Sequence, residues 1–214
     1  MNIESKLKLQ NKKDKTTIIF GFIFMIFNYL WGSAKLIVGI IENNWFYGTS
    51  GISEILLGLC KTLFFIGVKK EDHKLQEHLY KAIAALIIIA NILYVAYMIS
   101  LYFYPTHLIR LPLWLNIIIC CVSFLDLGLS IIGIINNISR KNLLFIAREC
   151  LSLVWSFQTI VFALASLISA MNQVLSAKQI STYNASIGIV YGILSIGIGI
   201  FMLSKLKQYK LKRN

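Results

Sequence analysis

Apolar residues along this chain fall into six long runs separated by short polar or charged stretches. The runs cover Thr17–Ile41, Phe46–Val68, Ala82–Phe103, Leu113–Ile135, Cys150–Met171 and Ala185–Leu203. Each is close to the ~20 residues a helix needs to cross the hydrocarbon core of a bilayer. The pattern therefore predicts an all-α, polytopic membrane protein: a bundle of six transmembrane helices over residues 17–203, between a basic N-terminal segment (1–16) and a basic tail (204–214). The second run is the least regular. Its first half, Gly48-Thr49-Ser50-Gly51-Ile52-Ser53-Glu54, also fits a re-entrant segment.

Inside the runs, small and polar residues recur at alternating spacings of three and four, which places them on one helix face. Asn28, Gly32, Lys35 and Gly39 do so in the first span, and Gly51, Glu54, Gly58 and Lys61 in the second. Ser123, Asp126, Ser130 and Gly133 follow in the fourth. The fifth carries Ser152, Ser156, Thr159, Ala163, Ser166 and Ala170, and the sixth Gly188, Gly192, Ser195 and Gly199. Lipid offers no hydrophobic drive for helices to associate, so such stripes mark the faces that pack.

Composition agrees with this picture. Of 214 residues, 57% are hydrophobic and only 14% charged, more apolar surface than a water-soluble domain can cover. The formal net charge of +12 brings nucleic acid to mind, but the basic residues sit between apolar runs with no module to read a groove. They read instead as topology signals and contacts with anionic lipid. Seventeen of the 21 Lys and Arg flank the spans on the side of the two termini, and only Arg110 and Lys178 flank the other. The positive-inside rule then puts both termini in the cytoplasm. Omitting the second span would carry Lys69 and Lys70 outside, so that span is kept. Pro105 and Pro112 both fall in the third connection, where no helix has to continue. The first run is too long for a signal peptide and has no small-residue cleavage site, so it is expected to stay as a helix. Cys60, Cys120, Cys121 and Cys150 lie within predicted spans and form no CxxC pair, which points to packing rather than disulfides or zinc. The richness in Ile, Lys and Asn points to a bacterial genome and hence a bacterial plasma membrane.

Candidate chemistry rests on ionisable residues inside the spans. A charge at a helix centre costs about 2.5–3.5 kcal/mol on insertion scales, so Lys35, Glu54, Lys61 and Asp126 are expected to face inward and find partners. At ~1.5 Å per residue, Lys35 and Glu54 lie about 9 and 12 Å below the outer ends of their spans, and Lys61 and Asp126 about 22 and 20 Å. Equal depths predict the pairs Lys35–Glu54 and Lys61–Asp126. With Asn28 they form a candidate polar path or set of ion pairs. Arg148 and Glu149, at the start of the fifth span, are expected to anchor the cytoplasmic face. No cofactor or metal set is apparent, and no His lies within a span.

Asn28, Lys35-Leu36-Ile37-Val38-Gly39 and Ser50-Gly51-Ile52-Ser53-Glu54 resemble the first two spans of the cation diffusion facilitator family. The resemblance implies six spans with cytoplasmic ends, and a scaffold akin to that family's transmembrane domain. The family's metal ligands do not carry over. Only Glu54 stands at a ligand-like position of the second span, Leu151 and Trp155 stand where the fifth span should supply ligands, and a cytoplasmic metal-binding domain is not expected. The expected function is therefore a non-enzymatic, transporter-like or permease-like protein, carrying a small solute or ion that the sequence does not identify. The alternative is a membrane accessory, scaffold or immunity-type protein that works through the bilayer, a homo-oligomer or another membrane partner. A topology reporter fused after Leu111 should be active only outside the cell, and one fused after Asn142 only inside; the reverse result would invert the orientation.

Overall fold

The computed structural model describes residues 3–69, 73–104, 112–139, 143–170 and 175–211. Pro105, Arg110, Lys70, Arg140 and Lys141 lie outside the described residues. Six helices follow in order: α1 (Ile3–Ile41), α2 (Trp45–Lys69), α3 (His73–Ser100), α4 (Leu113–Ser139), α5 (Leu143–Ala170) and α6 (Ala177–Leu211). Each contains a stretch long and apolar enough to cross a membrane, and the chain is a multi-pass membrane protein. Several helices outrun the apolar stretches that predicted them. α3 begins at His73, eight or more residues before its apolar run, because extending an existing helix is far easier than starting one and Lys, Leu, Gln and Glu all suit it. The glycine-rich start of α2 is continuous helix, not a re-entrant segment.

Local signals set the ends. Asn43 takes a left-handed conformation (φ 47°) and closes α1, with the Asn44 amide donating to the Gly39 carbonyl at 2.7 Å. The Asn44 side chain then accepts from the Phe46 amide at 3.1 Å and caps α2. At the start of α6, Gln179 Oε1 accepts from the Ser176 amide at 2.9 Å while Ser176 Oγ accepts from the Gln179 amide at 3.3 Å, a reciprocal capping box.

Helices α1 and α2, α4 and α5, and α3 and α6 pack as three antiparallel pairs. α5 touches α2, α3, α4 and α6 and is the hub: 72% of its apolar stretch is buried in the bundle, against 11% for α4 at the edge. The small-residue stripes are the contact faces. A Cβ added at Gly51 would lie 2.6 Å from the Gly32 carbonyl oxygen and 2.6 Å from the Leu36 amide nitrogen, so two backbones touch there. Gly188, Gly192 and Gly199 of α6 likewise admit Met98, Val95 and Ile88 of α3.

Two contacts between α2 and α5 match each other: Tyr47–Phe162 and Phe64–Phe145 are both edge-to-face pairs, at 5.7 Å and 88° and at 5.9 Å and 86°. These contacts also show that α2 and α5 run antiparallel. The start of α1 and the end of α6 lie at one end of the bundle, here the terminal end; the opposite end is the far end.

The glycine contacts set a stability prediction. Gly51→Ala should destabilise the protein by about 1–3 kcal/mol, because backbone atoms on α1 cannot yield to the new methyl. Gly128→Ala, where a Cβ meets nothing within 4 Å, should be neutral or slightly stabilising. Unfolding titrations of both variants in mixed detergent check the contrast.

Candidate functional site

The stripes on α1 and α2 bring Asn28, Lys35, Glu54 and Lys61 to the shared interior, and all four are buried. Nearest the far end, Lys35 Nζ donates to Glu54 Oε1 at 3.1 Å and to Ser50 Oγ at 3.2 Å. The ammonium also lies 4.3 Å from the centre of the Phe162 ring on α5 and 5.4 Å from that of Trp31. The ion pair is fully desolvated, with side-chain exposures of 3% and 0%. Gly32 makes the approach possible, since its missing side chain leaves room for Glu54 Cβ and the Gly51 carbonyl. Glu54 Oε2 is buried and accepts no hydrogen bond among the described residues. Such a carboxylate keeps capacity for a proton or a cation.

Two turns nearer the terminal end, Lys61 of α2 and Asp126 of α4 line one cavity with Arg148, Ser152 and Trp155 of α5. The cavity has a volume of about 30 Å³, enough for a water molecule or two. The Asp126 carboxylate is held chiefly by hydroxyls: Ser152 Oγ donates at 2.8 Å and Ser156 Oγ at 2.7 Å. Hydrogen bonds to a carboxylate are strong because the acceptor is charged. Lys61 Nζ stands 5.8 Å from the Trp155 ring centre and within electrostatic reach of both Glu54 and Asp126. Depth alone suggested a simple Lys61–Asp126 pair; the structure adds the two serines, which the sequence presented only as packing residues.

Arg148 and Glu149 bond to each other through NH1 and Oε1. They do more than flank the bundle. Glu149 is buried against Gly133 of α4, and Arg148 lines the cavity beside Gly21 of α1. The interior thus holds six ionisable groups, three of each sign: Lys35, Lys61 and Arg148 against Glu54, Asp126 and Glu149.

Sequence reasoning overlooked several buried asparagines, among them Asn91, Asn116 and Asn184. Asn116 Nδ2 donates to Ser166 Oγ at 3.1 Å and ties α4 to α5. Asn91 of α3 and Asn184 of α6 are each 1% exposed, and Asn184 makes no side-chain hydrogen bond among the described residues. For Asn91 and Asn116 an amide in an apolar run was the available signal, since lipid solvates it poorly. Phe162 and Trp31 carried no signal at all, because an aromatic in a span looks the same facing lipid or facing a cation. Among the described residues, no three His, Cys, Asp or Glu side chains gather closely enough to hold a metal ion.

No family model, curated protein or solved structure matches this chain.

Breaking the Lys35–Glu54 pair from one side leaves an uncompensated charge in the interior. Lys35→Met should cost about 3–5 kcal/mol, and adding Glu54→Leu should recover much of that loss. A double-mutant cycle on detergent-solubilised protein measures both numbers; a single variant as stable as the parent would mean that the pair is not desolvated.

Proposed function

We propose that this protein is a small, non-enzymatic carrier of the cell membrane, moving a small solute or ion along the polar path lined by α1, α2 and α4. Its termini lie in the cytoplasm, in keeping with the seventeen flanking basic residues on that side, and the host membrane is a bacterial plasma membrane. The likeness of the first two spans to the cation diffusion facilitator family belongs to the same proposal, with that family's metal ligands left out of it.

The connected series of interior charges carries the reading. Lys35 is bonded to Glu54, Lys61 lies within electrostatic reach of Glu54 and Asp126, and Asp126 shares its cavity with Arg148. Fixing helix register would need no such continuity, since well-packed apolar residues commonly stabilise a bundle as well as a buried ion pair does. Ionisable residues connected in series through a membrane are the usual form of an ion or proton route. Glu54 Oε2 takes no hydrogen bond among the described residues and so can accept one from whatever moves, and the cavity beside Asp126 has room for water. The accessory or scaffold reading draws on the tight closure at the far end, where Gly32, Gly39 and Gly51 bring α1 and α2 into backbone contact.

Proteoliposomes with a trapped pH dye separate the two. Under an imposed pH gradient and membrane potential, the parent protein should dissipate the gradient faster than empty vesicles, and Glu54→Gln and Asp126→Asn should each return the rate to that of empty vesicles. Flux that both variants leave unchanged would remove the carrier reading. Absence of flux, together with stable co-purification of one membrane protein, would favour the accessory reading.

A further inference from the structure

The surroundings of the Lys35 ammonium are a complete recognition site for a small primary ammonium ion. A carboxylate oxygen of Glu54 and a hydroxyl of Ser50 accept its protons at 3.1 and 3.2 Å, and Phe162 and Trp31 present ring faces to the charge. Carboxylate, hydroxyl and aromatic faces together are how proteins bind organic cations away from water. Glu54 is wholly buried, and its second oxygen takes no hydrogen bond among the described residues. The site therefore has acceptor capacity that its present occupant does not use.

We propose that the box formed by Glu54, Ser50, Phe162 and Trp31 is a binding site for a small unbranched primary ammonium ion, with Lys35 as its tethered occupant. Cutting the tether leaves a cavity shaped to a short alkyl chain and an anionic end that demands a cation. Sodium lacks the N–H donors and gains little from ring faces while losing its hydration. Tetramethylammonium carries the charge but has no proton to donate to Glu54 or Ser50. This site stands on its own geometry, and it holds whether or not the bundle carries a solute.

Lys35→Ala, purified in detergent, tests the site through thermal unfolding in ethylammonium chloride, with sodium chloride and tetramethylammonium chloride at equal ionic strength as comparisons. Ethylammonium should raise the unfolding temperature saturably in Lys35→Ala alone, and leave the parent and Lys35→Ala/Glu54→Gln unmoved. No shift, or an equal shift with tetramethylammonium or in the double variant, would overturn the proposal. If Lys35→Ala does not fold unaided, it is expressed and extracted with ethylammonium present. Folding restored by ethylammonium but not by sodium supports the site. A chain that stays misfolded with ethylammonium, while Lys35→Ala/Glu54→Gln folds equally well with and without it, overturns it.

Discussion

A charge inside a bilayer has no water to turn to, and the architecture of this protein follows from how that demand is met at Lys35 and Glu54. An ion pair deep between two helices holds only if the helices come close enough for a 3.1 Å contact. That closeness depends on Gly32, Gly39 and Gly51, where any side chain would press on the neighbouring backbone. The glycines meet only because the turn at Asn43 and Asn44 folds α2 back along α1 in the right register. Turn, glycine contact and ion pair form a chain of dependence, each useless without the one before.

The two hairpins, α1–α2 and α4–α5, meet their charges differently. In the first a lysine reaches across the interface and seals the far end with an ion pair and two ring faces. In the second, Glu149 fills the space at Gly133, Asp126 accepts from the hydroxyls of Ser152 and Ser156, and a small cavity remains beside Lys61 and Arg148. The aromatic pairs Tyr47–Phe162 and Phe64–Phe145 join the two hairpins through α2 and α5.

The energetics favour such economy. Six ionisable groups, three of each sign, leave the interior without net charge, and each has an opposite charge or a hydroxyl donor close by. The cost of dehydration is shared along the column, while the edge helices α1 and α4 turn Ile, Leu and Phe outward to the lipid.

Much of this could be read from residues alone. Length and hydropathy require six spans, because nothing else lets so apolar a chain satisfy its backbone. Spacings of three and four mark the inward faces, and Asn28, Gly32, Lys35, Gly39, Gly51, Glu54, Gly58 and Lys61 all prove buried. The short link from α1 to α2 makes them neighbours and so fixes Lys35 opposite Glu54 by depth. Asp126 was harder, since depth says nothing about azimuth: which distant helix stands beside α4 is settled when all six pack at once. The same holds for the choice of α5 as hub and for Phe162 and Trp31 as walls around an ammonium. Periodicity and rise determine a residue's face and level within its own helix. Only the packed bundle decides which side chains from elsewhere in the chain meet it there.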